Sequence, residues 1–222
     1  MSDNKSKLTI LFQGDSITDG NRGRSEDPNH IHGHGYVYLI ASRIGAAYAE
    51  HGITFINRGI SGNRAVDLYA RWESEALAYH PNLISILVGI NDVLRGIGEG
   101  EAHFDRYERT LRRLLEEARE NDPSVTLVVC EPFALRTGMT AERWEQDWEP
   151  RLIEKQRVAR VVAEECGAVF VPLQDVFNEA CKRAEASYWM WDGVHPTTAG
   201  HMLLAEQWLS AVGFEQWLSE RV

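Results

Sequence analysis

The segment LTILFQGDSIT, residues 8–18, decides how this chain is read. Leu8 to Phe12 is a short apolar run of β character, and Gly14, Asp15 and Ser16 follow where a strand ends and a helix begins. A serine so placed carries its hydroxyl at the open end of a strand. Its own N–H lies at a helix N-terminus, where the dipole favours developing negative charge. Both properties suit a nucleophile.

A serine hydroxyl needs a base to take its proton and a third group to orient that base. The stretch Trp191-Asp192-Gly193-Val194-His195-Pro196 offers both. An Asp three residues before a His reaches the imidazole Nδ1 within one turn and leaves Nε2 to face Ser16. The expected roles are Ser16 as nucleophile, His195 as general base and then acid, and Asp192 as orienter. Acyl transfer also needs donors aimed at the oxyanion. Two further segments that follow β-like runs, ITFINRGISGN and LISILVGIND, bring Gly62 and Asn91. With the N–H of Ser16, the Gly62 N–H and the Asn91 amide make an expected oxyanion hole of three donors.

The blocks GDS, GISGN, GIND and DGVHP, in that order, resemble the SGNH hydrolases, also called the GDSL esterase family. Ser16, Gly62, Asn91 and His195 fall on that family's four named positions, and Asp192 on its triad acid. The resemblance implies an α/β fold, a three-layer α/β/α sandwich around a five-stranded parallel sheet of flavodoxin-like type. It also implies a serine esterase working without a cofactor or metal. A narrower likeness, to intracellular carbohydrate acetylesterases of the acetyl-xylan esterase type, is carried by Gly59-Ile60-Ser61-Gly62-Asn63, Ala70-Arg71-Trp72-Glu73 and Ala199-Gly200-His201-Met202. That likeness implies removal of acetyl groups from acetylated sugars or xylo-oligosaccharides, and a homo-oligomer.

The order of elements argues for the same sheet. Strands are expected at 8–12, 53–57, 83–88, 125–130 and 168–171, separated by helical patterns at about 36–50, 64–79, 104–120 and 150–165; helices at about 174–186 and 197–212 follow. Alternation of this kind gives a parallel sheet between helical layers, with ligands bound beyond the carboxyl ends of the strands. Ser16, Gly62, Asn91 and Glu131 all follow strand ends. With no Gly/Ser/Pro-rich linker, residues 1–222 read as a single domain.

A composition of 44% hydrophobic and 25% charged residues is that of a globular protein. A net charge of −10 without a run of Lys or Arg argues against nucleic-acid and anionic-membrane partners. The apolar run before Ser16 is too short for a signal peptide or a membrane helix, and three cysteines lack metal-ligand spacing. Both point to the cytoplasm. The apolar Phe214, Trp217 and Leu218 near the C-terminus are either docked on their own domain or buried against another subunit, and the latter favours a homo-oligomer.

Asp15, Tyr36, Phe133 and Trp191 are the expected substrate contacts. Together with Trp144 and Trp189 the rings form aromatic walls suited to a sugar, although each ring is alternatively core. Asp15 and Asp92 could form the carboxylate pair of a glycosidase, but loop-fixing acceptors are the preferred reading of both. His30, His32 and His34, with Asp15 and Asp19 nearby, leave open a metal-dependent hydrolase, but a plain loop over the site is the preferred reading. Lysophospholipase or thioesterase activity, and a sugar-binding role without catalysis, are the remaining alternatives.

Overall fold

Five short apolar segments pair as parallel strands in the order β2-β1-β3-β4-β5: β1 (Thr9–Gly14), β2 (Thr54–Asn57), β3 (Leu83–Leu87), β4 (Thr126–Cys130) and β5 (Val169–Val171). The computed structural model describes residues 8–25, 27–99 and 104–222. Side chains alternate across each strand, so Ile10 and Phe12 enter one apolar layer while Leu11 enters the other. The first layer is closed by α2 (Tyr36–Ala47), α8 (Gln174–Ala180), α10 (Thr198–Val212) and α11 (Phe214–Ser219). The second is closed by α3 (Ala65–Tyr69), α4 (Trp72–Glu75), α6 (Phe104–Asn121) and α7 (Glu149–Glu165). The result is the expected α/β/α sandwich. The remaining helices, α1 (Ser16–Asp19), α5 (Ile90–Glu99) and α9 (Ala186–Trp189), border the loops at the carboxyl ends of the strands.

This strand order reverses direction between β1 and β3, and the crevice outside such a reversal is where open α/β sheets bind ligands. Ser16 follows β1 and Asn91 follows β3, so the two flank that crevice.

The pattern expected to give one helix over 64–79 is instead α3, α4 and a single 3₁₀ turn at Leu77–Tyr79. Two polar demands interrupt it. Between α3 and α4 the Arg71 guanidinium turns inward to backbone and side-chain oxygens, and at the end of α4 the carbonyl of Glu75 accepts from Gln13 Nε2 at 2.6 Å. The helix expected over 174–186 stops at Ala180, and α9 is a separate turn.

Thr197 caps α10 by accepting the N–H of Gly200, and Gly213 ends it at φ 58°. The chain then folds back, so that Phe214, Trp217 and Leu218 are buried in their own domain, with Trp217 Nε1 donating to Thr126 Oγ1 at 2.8 Å. Of the two readings of this segment, docking on its own domain holds. Among the described residues no helix is long and apolar enough to cross a membrane.

Candidate active site

Gly14 ends β1 because the turn into α1 has no room for a side chain: a Cβ there would overlap Thr18 and the carbonyl oxygen of Leu87. Asp15 is the N-cap of α1, its Oδ1 accepting the N–H of Ile17 at 3.0 Å. Ser16 is thereby the first residue of α1, where the backbone N–H has no partner within the helix. Its Oγ lies 2.8 Å from His195 Nε2, and His195 Nδ1 lies 2.7 Å from Asp192 Oδ2. The other Asp192 oxygen accepts the N–H groups of Val194 and His195. Burial pushes the Asp192 carboxyl up, but the bonds from the His195 backbone and ring and from Val194 N–H outweigh it and hold the group below its usual range.

The loop after β2 is anchored from two sides. Asn57 donates from Nδ2 to the carbonyls of Thr18 and His32 and accepts the Gly59 N–H. Asp19, also buried, accepts the Ser61 N–H at 3.1 Å and both terminal nitrogens of Arg24. Burial raises the Asp19 carboxyl, and these bonds bring it below its ordinary value. Gly62, next to Ser61, sits at φ +81° with open space where a Cβ would be, so backbone conformation rather than crowding requires glycine here. In the first turn of α5, Asn91 donates from Nδ2 to the carbonyl of Asn63 at 3.1 Å, which joins the β3 loop to the Gly62 loop.

The expected substrate contacts divide. Trp191 is 65% exposed and stacks on the His195 ring, centroids 6.2 Å apart and planes 22° apart. Tyr36 and Phe133 require correction, for both are wholly buried. Tyr36 Oη meets Thr18 Oγ1 at 3.0 Å under α1, and Phe133 stacks on Phe177 with centroids 4.5 Å apart. They form the floor beneath the site and present no surface to a ligand. Trp189 and Trp148 are buried as well. Asp15 is also corrected: it is 1% exposed and serves as a cap. Among the described residues its Oδ2 has no hydrogen-bond partner, and burial, with Asp92 adding to it, pushes the carboxyl up to about 7 against the lowering influence of Ile17 N–H and His195. Asp92 accepts the Ala65 N–H, and burial raises it to about 6. Both carboxylates accept backbone N–H groups, as the loop-fixing reading expects.

His30, His32 and His34 do not converge. His30 lies 3.8 Å from Asp27, the half-buried His32 meets the edge of Phe55, and the His34 backbone N–H donates to the carbonyl of Gly20. Among the described residues no group of three or more His, Cys, Asp or Glu side chains is placed to hold a metal ion.

Sequence reading missed the segment 135–140 that braces Asp192. Leu135 N–H donates to Gly193 O, Met139 N–H donates to Asp192 O, and the Thr140 hydroxyl bonds Leu135 O and Thr137 O. The positive φ of Gly138 and Gly193 is the trace of this packing, but a lone glycine in sequence does not reveal it. Glu131, just after β4, accepts the N–H groups of Leu173 and Gln174 at the start of α8. A cleft of about 830 Å³ lined by Arg43, Tyr48, Glu206 and Phe214 includes none of the residues around Ser16.

The arrangement can pass a proton from a serine hydroxyl to an imidazole whose far side rests on a carboxylate. The model of the GDSL-like lipase/acylhydrolase family matches residues 12–203. An acetylxylan esterase from Geobacillus stearothermophilus is 40% identical over 220 residues, covering 96% of each chain. The crystal structure of the acetylxylan esterase Axe2 from the same organism superposes with a TM-score of 0.81 at 37% identity, covering 94% of this chain and 96% of that one. A putative GDSL-like lipase from Parabacteroides merdae superposes with a TM-score of 0.88 at 40% identity, covering 94% and 97%.

Proposed function

The chain belongs to the GDSL-like lipase/acylhydrolase family, and from that premise we propose that Ser16, His195 and Asp192 hydrolyse acetyl esters of sugars or short xylo-oligosaccharides. The protein is a carboxylic ester hydrolase. The observation that carries the assignment of residues is the unbroken contact from Ser16 Oγ to His195 Nε2 at 2.8 Å and from His195 Nδ1 to Asp192 Oδ2 at 2.7 Å.

Ser16 Oγ attacks the acetyl carbonyl while His195 Nε2 takes its proton, and Asp192 stabilises the imidazolium that results. The oxyanion is received by the N–H groups of Ser16 and Gly62 and by the Asn91 amide, whose second N–H remains for this purpose beside its bond to Asn63. His195 returns the proton to the sugar oxygen, the C–O bond breaks, and an acetyl-Ser16 ester is left. Water, deprotonated by the same imidazole, then releases acetate and restores Ser16.

Trp191 supplies an exposed ring at the mouth, on which a sugar face can stack. The whole chain, residues 1–222, is read as one domain working in the cytoplasm, a location in keeping with three cysteines that form no disulfide. A homo-oligomer is proposed from the likeness to acetylesterases alone, since the apolar C-terminal side chains are used within the chain. Light scattering at micromolar protein tests it.

The decisive experiment measures acetate release from acetylated xylo-oligosaccharides by the wild type and by Ser16→Ala, with p-nitrophenyl acetate and octanoate beside them. Release by the wild type alone is expected, with acetate preferred over octanoate. Cleavage of p-nitrophenyl esters without the sugar would overturn the substrate, and an active Ser16→Ala would overturn the nucleophile.

A further inference from the structure

Arg71 stands between α3 and α4 with its side chain 14% exposed, and its guanidinium is divided among the loops that follow β1 and β2. Nε donates to Asn63 Oδ1 at 2.9 Å, Nη1 to the carbonyl of Arg58 at 2.8 Å, and Nη2 to the carbonyl of Gly14 at 3.5 Å. Glu75, at 3.2 Å from Nη1, supplies the countercharge. Gly14 is the last residue of β1, two before Ser16; Arg58 follows β2; Asn63 follows Gly62. Asn63 then carries the linkage further, because its carbonyl accepts Asn91 Nδ2.

We propose that Arg71 is a positioning residue for the oxyanion site: through Asn63 it fixes the Gly62 N–H relative to the Asn91 amide, and ties both to the strand end that carries Ser16. The proposal rests on the reading of those three groups as the oxyanion donors. Three acceptors in three directions match a planar guanidinium fork and not the compact ammonium of a lysine. The loop keeps other backbone bonds, Gly14 O receiving the Ile60 N–H and the Asn63 N–H donating to Ile60 O. Loss of Arg71 therefore loosens the donors without dismantling the fold. Donors that must be set before charge develops lose their value when they are free to move.

The test compares Arg71→Lys, Arg71→Ala, Asn91→Ala and the double variant Asn91→Ala/Arg71→Lys on p-nitrophenyl acetate, with thermal denaturation of each. Arg71→Lys should lower kcat by about tenfold to a hundredfold while KM stays within about twofold, because donor placement matters most in the transition state. A role in folding alone would lower Tm and leave kcat per folded molecule unchanged. If Arg71→Ala does not fold, the lysine variant carries the test. In the double variant the two losses should combine to clearly less than their product, since one of the two donors that Arg71 positions is then absent while the Gly62 N–H remains. Wild-type kcat in Arg71→Lys, or losses that multiply in the double variant, would overturn the proposal while leaving the oxyanion reading in place. Undiminished kcat in Asn91→Ala would overturn the oxyanion reading, and the proposal with it.

Discussion

The Asp192 carboxylate holds His195 at two points: Oδ2 stands 2.7 Å from the ring Nδ1, and Oδ1 accepts the His195 backbone N–H at 2.7 Å. One side chain thus fixes both the ring and the turn that presents it. Asp192→Asn keeps the volume but removes the charge that orients and stabilises the imidazolium. Its kcat on p-nitrophenyl acetate should fall by about 10⁴-fold, with KM changed far less. The depressed carboxyl contributes stability above its unfolded pKa and loses it as pH falls through the folded value, so wild-type and variant Tm should converge below about pH 4.

Gly62 and Gly193 both have positive φ, yet they should respond differently to alanine. A Cβ at Gly62 meets nothing within 4 Å, so Gly62→Ala carries only the conformational cost, about 1 kcal/mol. A Cβ at Gly193 would overlap Thr140 Oγ1 and the carbonyls of Thr137 and Leu135, which brace Asp192. Gly193→Ala should therefore displace the Asp192 turn and lower Tm several degrees more than Gly62→Ala. Equal Tm losses in a thermal melt would count against this packing.

The layers of the fold were legible because short apolar runs alternate with helical patterns, and a run apolar on both sides of the pleat, as at Ile10, Leu11 and Phe12, is covered on both faces. Ser16, Asp192 and His195 stand out in sequence by residue type and spacing, a serine after the apolar run of β1 and an Asp three residues before a His, and the structure brings the three side chains into contact. Tyr36 and Phe133 misled because an aromatic at the start of a helix or the end of a strand has the same sequence appearance whether it faces a mouth or the floor below it. Arg71 was hidden for the opposite reason. It lies within an apolar stripe that reads as a continuous helix, and only the break after Tyr69 shows that its guanidinium turns inward.

Trp191 is exposed and stacked on His195, so it can serve a bound sugar without being needed for the fold. Trp191→Ala should raise KM for acetylated xylo-oligosaccharides by about five- to tenfold, the worth of one aromatic face at about 1 kcal/mol. The kcat on p-nitrophenyl acetate should change little, and Tm should hold. An equal KM change on both substrates would mean that the ring shapes the acyl site instead.

Asp15 is buried beside the nucleophile, with Oδ1 on the Ile17 N–H and Oδ2 without a partner among the described residues. Its folded pKa of about 7 lies above the ordinary 3.8, so the folded state binds an extra proton between those values and stability falls as pH rises through that window. Above it the wild type bears the full cost of an ionised buried carboxylate, at most about 4 kcal/mol for a shift of about three units. Asn at this position keeps the capping oxygen and removes the charge. Asp15→Asn should therefore melt above the wild type at pH 8, with the difference closing by about pH 4. Melting curves across that range decide it. A variant less stable than the wild type at pH 8 would mean that the negative charge is favoured in the folded protein, with the nearby His195 offsetting Asp92.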